Sequence, residues 1–127
     1  MQCAVEIIRQ YADLERTRPL TPWERDSVLF AEFEIGDGDT RLRVSNLFDE
    51  DLHDEWIGRA VSPTLAALLA IREALVCAES IRGTKWILTP AKEALHWMWH
   101  GRPNAPVCER QEVLWLIEEI RERAGAE

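Results

Sequence analysis

The chain has 127 residues, 46% of them apolar and 30% charged, with 15 Lys+Arg against 23 Asp+Glu and a formal net charge of −8. This length suits one domain with a core of its own, and the charge argues against a general binder of nucleic acid or anionic membrane, since both polyanions repel it at long range. No apolar run reaches the ~18 residues of a membrane span, and residues 1–16 interleave apolar with charged positions, unlike a signal peptide, so a cytoplasmic protein is expected. The basic residues are 13 Arg with only Lys85 and Lys92, which points to bidentate local ion pairs. Cys3, Cys77 and Cys108 show no C-x-x-C spacing and read as reduced structural thiols.

In residues 4–16, Ala4, Ile7, Ile8, Tyr11 and Leu14 recur at three- and four-residue steps, which predicts an amphipathic helix ending before Pro19. Thr21-Pro22-Trp23-Glu24 has the form of a capping box and predicts a short helical turn. From Val28 the period changes to two, with Leu29, Ala31, Phe33 and Ile35 on one face and Glu32 and Glu34 on the other. A second such run follows Gly36-Asp37-Gly38-Asp39, giving strands at about 28–35 and 41–48. If Asp37-Gly38 is a two-residue type I′ turn, Glu34 faces Arg41, Glu32 faces Arg43, Phe33 faces Leu42 and Ala31 faces Val44. A slip of one residue would set Glu34 against Leu42, so the charge pattern fixes the register.

Ser62-Pro63 starts a helix and Gly83 stops it, predicting a helix over 63–82 whose first half is apolar all round and therefore central to the fold. Residues 85–88 form a short strand, Thr89-Pro90 starts a helix over 90–100, and residues 102–108, with Pro103 and Pro106, form a loop. The last helix, 109–124, aligns Val113, Leu116, Ile117 and Ile120 and carries a Glu119–Arg123 pair. The expected class is α+β: an antiparallel hairpin plus the 85–88 strand, packed against about four helices.

Asp49-Glu50-Asp51-Leu52-His53-Asp54-Glu55 holds five carboxylates in seven residues with no Lys or Arg before Arg59. It reads either as a solvated acidic loop or, with Asp37, Asp39 and the last helix, as a negative surface for a basic partner. A divalent-cation site is the third alternative, although the Asp37–Asp39 run lacks the calcium-loop pattern. His96 and His100 are spaced to share one helix face as two zinc ligands, a third coming from Cys108, His53 or a carboxylate; the intervening Trp97-Met98-Trp99 lacks a metalloprotease glutamate. Six tryptophans is a high number, and Trp97 and Trp99 point about 200° apart on one helix, so Trp56, Trp97, Trp99 and Trp115 are candidates for an exposed aromatic patch. No phosphate loop or nucleophile elbow is present in the sequence.

Leu68-Leu69-Ala70-Ile71-Arg72-Glu73-Ala74-Leu75 and Trp86-Ile87-Leu88-Thr89-Pro90-Ala91-Lys92-Glu93-Ala94-Leu95 resemble the helix–strand–helix centre of ribonuclease H domains, with a hairpin before it. The resemblance covers about 30 residues and implies a degenerate RNase H-like topology as an alternative fold. Where that family carries a metal-binding glutamate and aspartate, this chain has Ala67 and Pro90, so the resemblance implies no nuclease activity. The sequence therefore leads to the expectation of a non-enzymatic acidic protein-binding module without a cofactor, such as a small inhibitor, immunity-type or nucleic-acid-mimicking protein that occludes a basic surface. Its expected contacts are Asp49, Glu50, Asp51, Asp54, Glu55 and Trp56, with Trp97 and Trp99. A metal-binding protein or metal-dependent enzyme using His96 and His100, and a homodimeric structural subunit, are the alternatives.

Overall fold

The alternating runs after Ser27 pair as an antiparallel hairpin, β2 (Val28–Gly36) with β3 (Asp39–Asn46), in the register expected from a two-residue turn at Asp37-Gly38: Glu34 opposite Arg41, Glu32 opposite Arg43, Phe33 opposite Leu42 and Ala31 opposite Val44. The computed structural model describes residues 5–8, 27–81, 83–84, 86–91 and 105–125. The turn differs from expectation. Only Gly38 has a positive φ, 72°, and Asp37 does not, so this is not a type I′ turn, which needs both central residues there. Loop length, two residues in either case, is what sets the register.

The acidic segment read as a loop is a strand. β4 (Asp51–Trp56) pairs antiparallel to β3, with a bulge between Val44 and Ser45. The connection is built on Asn46, 2% exposed, whose Oδ1 accepts hydrogen bonds from the Phe48 and Glu50 amides at 3.0 and 3.1 Å. Asp49 takes a left-handed φ of 60°, a conformation aspartate tolerates better than most residues. Together they return the chain along β3 within four residues.

Helix α1 (Pro63–Ser80) starts where the Ser62-Pro63 signal places it; the Ser62 hydroxyl caps the Leu65 amide and proline occupies the first turn. Thr64 to Ile71 are all buried, because α1 lies on β2 and β3 on one side and against the last helix on the other. Each buried leucine or isoleucine there contributes about 1.5–3 kcal/mol. β5 (Trp86–Leu88) then pairs parallel to β2. A 3₁₀ turn (Val107–Glu109), lying partly in the segment expected as loop, leads into α2 (Arg110–Ala124), which buries Val113, Leu116, Ile117 and Ile120.

The helix expected over 4–16 is corrected at residues 6–8. They form β1 (Glu6–Ile8), parallel to β5, and Ile7 joins the core. A short apolar run fits either period, and here a partner strand 80 positions away decides it. The remainder of that segment, the 21–24 turn and residues 92–100 of the expected fourth helix lie outside the described residues; Pro90 and Ala91 are not helical. The class is α+β, with a mixed sheet in the order β1-β5-β2-β3-β4 and two α-helices among the described residues rather than about four. No helix among them is long and apolar enough to cross a membrane.

Candidate functional site: a charged sheet face and its outer strand

The pleat divides β3 cleanly. Leu42 and Val44, 1% and 0% exposed, face α1, so Arg41 and Arg43 emerge on the opposite face of the sheet. There they form a row between two rows of carboxylates, Glu32 and Glu34 on β2 and Asp51 and Asp54 on β4. Arg41 grips Asp54 bidentately, Nε to Oδ1 at 2.8 Å and Nη2 to Oδ2 at 2.6 Å, and approaches Glu34 at 3.6 Å. Arg43 donates to Asp51 at 2.6 Å and to Asp49 at 3.3 Å. Hydrogen bonding to Arg41 holds the Asp54 carboxyl below the usual carboxylate range, and bonding to Asp54 and Asp51 raises the two guanidiniums further above neutrality. Arg41, Arg43 and Asp54 are therefore held in their charged forms.

The sequence places no basic residue near the acidic run, yet the fold supplies two from β3. Asp49, Asp51 and Asp54 are therefore ion-paired carboxylates, and the free acidic loop is corrected to a paired ladder. Glu55 lies on the α1 side of β4, where it meets His53 Nε2 at 2.9 Å. Trp56, 50% exposed, ends the strand with its ring over Gly36, 3.5 Å from where a Cβ would stand there. The groove formed by Glu32, Phe33, Glu34, Arg41 and Arg43 encloses about 270 Å³ and is floored by the ladder.

Asp39 and Asp37 belong to the hairpin. Asp39 Oδ1 accepts from the Thr40 amide at 2.8 Å and from the Gly58 amide at 2.7 Å, which ties the β4–α1 connection to the turn. Trp115 is 64% exposed on α2. His96, His100, Trp97 and Trp99 lie outside the described residues. Cys108 is exposed, and burial, aided by the Glu73 charge, pushes the half-buried Cys77 thiol up. At the two positions singled out by the ribonuclease H resemblance, Ala67 is 1% exposed in the core and Pro90 is exposed beyond β5, and neither offers a metal ligand.

Three contributors were not singled out from sequence. The sequence pairs Arg41 and Arg43 with the β2 carboxylates, whereas their stronger bonds run to β4, whose existence the charge run conceals. Glu73 of α1 lies 3.7 Å from His53 Nε2; the i,i+2 spacing of His53 and Glu55 was the available signal for that side of the strand. No protein-family model matches the chain, and no curated protein matches its sequence.

Proposed function

We propose that this chain is a non-enzymatic acidic protein-binding module whose β4 edge and open sheet face engage a basic partner, in the manner of a small inhibitor, immunity-type or nucleic-acid-mimicking protein. One observation carries the reading. Among the described residues, Glu32, Glu34, Asp49, Asp51 and Asp54 confront Arg41 and Arg43 alone, which leaves the ladder with a surplus of three negative charges. Three of the five carboxylates, Asp49, Asp51 and Asp54, stand on or just before β4, a strand with a neighbour on one side only among the described residues.

The arrangement suits recognition in two ways. Carboxylates already held by arginines lose little side-chain freedom on docking, so less ordering entropy opposes the complex. An outer strand also presents unpaired amides and carbonyls to an extended segment, and its charges select a basic one while discouraging a second acidic copy. Trp56 adds a large, rigid apolar surface beside the charges. The test is capture from host lysate at low and moderate salt with the wild type and with an Asp49→Asn, Asp51→Asn, Asp54→Asn variant of matched thermal stability. A basic protein retained by the wild type and lost by the variant supports the reading; equal retention, or none, removes it.

A further inference from the structure

On the helix side of β4 a second group of side chains converges, separate from the arginine ladder. His53 and Glu55 are two apart on one strand, opposite the buried Val44 and Leu42, and so point toward α1. From α1, Glu73 reaches the same space. His53 Nε2 stands 2.9 Å from Glu55 Oε1 and 3.7 Å from Glu73 Oε2, and one donor atom from each of the three residues lies within 4.8 Å of the others. Glu73 is the informative member, since its side chain is only 18% exposed. The nearest basic side-chain nitrogens to it among the described residues, His53 Nε2 and Arg72 Nη2, both stand at 3.7 Å, beyond hydrogen-bond distance. Two carboxylates thus share a partly covered site with one imidazole between them.

We propose that His53, Glu55 and Glu73 form a binding site for a first-row divalent transition-metal ion. Donors at about 2.0–2.2 Å from such an ion stand roughly 3 Å apart from one another, the His53–Glu55 separation as found. The long Glu73 side chain, whose Oε2 stands 3.7 Å from His53 Nε2, has to swing inward to complete the set. One imidazole nitrogen with two carboxylate oxygens favours zinc or manganese over calcium, which takes six to eight oxygens. Three protein donors from a strand and a helix leave outward coordination positions for water or a partner's side chain. A bound ion would also tie the outer strand to α1, the helix at the centre of the core. The site is independent of the binding role proposed above, because it uses the opposite face of β4.

The test is calorimetric titration of Zn²⁺, Mn²⁺ and Ca²⁺ into the tag-free full-length chain, repeated with His53→Gln, with Glu73→Gln and with a His96→Gln, His100→Gln control. Circular dichroism and the melting temperature of each metal-free variant establish that it is folded. The expected result is 1:1 binding of zinc or manganese that both His53→Gln and Glu73→Gln weaken at least tenfold, that the control leaves unchanged, and that raises the wild-type melting temperature. The proposal is overturned if no saturable 1:1 binding occurs, if both substitutions leave it intact, if it disappears only in the control, or if calcium binds as well as zinc.

Discussion

Ser62 and Glu109 form the joint between the two described helices, and replacing Ser62 by alanine measures what that joint contributes. The Ser62 hydroxyl accepts from the Leu65 amide at 3.3 Å and donates to Glu109 Oε1, while the Ser62 amide donates to Glu109 Oε2 at 3.0 Å. Loss of a serine N-cap costs about 1 kcal/mol. Loss of a hydrogen bond to a charged group adds about 1.5 kcal/mol, the low end of the usual range because the pair is only partly buried. Ser62→Ala should therefore cost about 2–3 kcal/mol. In urea this lowers the unfolding midpoint by roughly 1–2 M with an unchanged slope, since the denaturant slope of a chain this size is near 2 kcal/mol per M. Glu109→Ala strands the Ser62 amide and should cost about 1–2 kcal/mol. Because the two residues share these bonds, the double variant should be less destabilised than the sum of the singles by about 1 kcal/mol. Strict additivity, or a Ser62→Ala cost under about 0.5 kcal/mol, refutes the joint.

Other consequences are simpler to check. Leu68→Ala, at a position 0% exposed in α1, should cost about 3 kcal/mol by urea unfolding, and Val76→Ala, at 38% exposure on the same helix, under about 1 kcal/mol. Glu112 accepts from Arg59 at 2.6 and 3.1 Å, and that bonding lowers its pKa. Its contribution is therefore full above the ordinary carboxylate range and is lost as pH falls through the lowered folded value; the wild type should lose up to about 1 kcal/mol more than Glu112→Gln on acidification from pH 6 to pH 2, a small figure because Arg59 is half exposed. With peptide mapping by mass spectrometry, iodoacetamide should label exposed Cys108 well before Cys77, whose thiol burial holds protonated.

The hairpin was legible because two independent patterns agree on it: alternate apolar residues bury one face, and Glu34–Arg41 and Glu32–Arg43 match charges on the other. Helix α1 was legible from Ser62-Pro63 and an apolar run that fits only a central helix. β4 was hidden because five of its neighbouring seven residues are acidic and Leu52 is the one aliphatic side chain among them. Its strand character comes from β3, through the ladder to Arg41 and Arg43 and the turn built on Asn46, and such tertiary support overrides weak local preference. The same dependence explains the site. A count of charge along the chain finds the carboxylates of residues 49–55, but only the β3–β4 register, bulge included, shows which of them are neutralised. Glu73 meets His53 across 20 positions and a change of element, a convergence that helical or strand period does not encode.

If the negative surplus of the ladder attracts a basic partner, changing that surplus in both directions must change the affinity in both directions. Affinity for the captured basic protein is measured across a salt series for three proteins of matched stability. The wild type carries five ladder carboxylates against two guanidiniums, the Asp49→Asn, Asp51→Asn, Asp54→Asn variant two against two, and Arg41→Gln, Arg43→Gln five against none. Affinity at low salt should rise in the order triple variant, wild type, arginine variant. The differences should shrink as the Debye length falls toward about 8 Å at physiological ionic strength. Equal affinities for the three proteins, or an order that salt does not compress, would contradict the account.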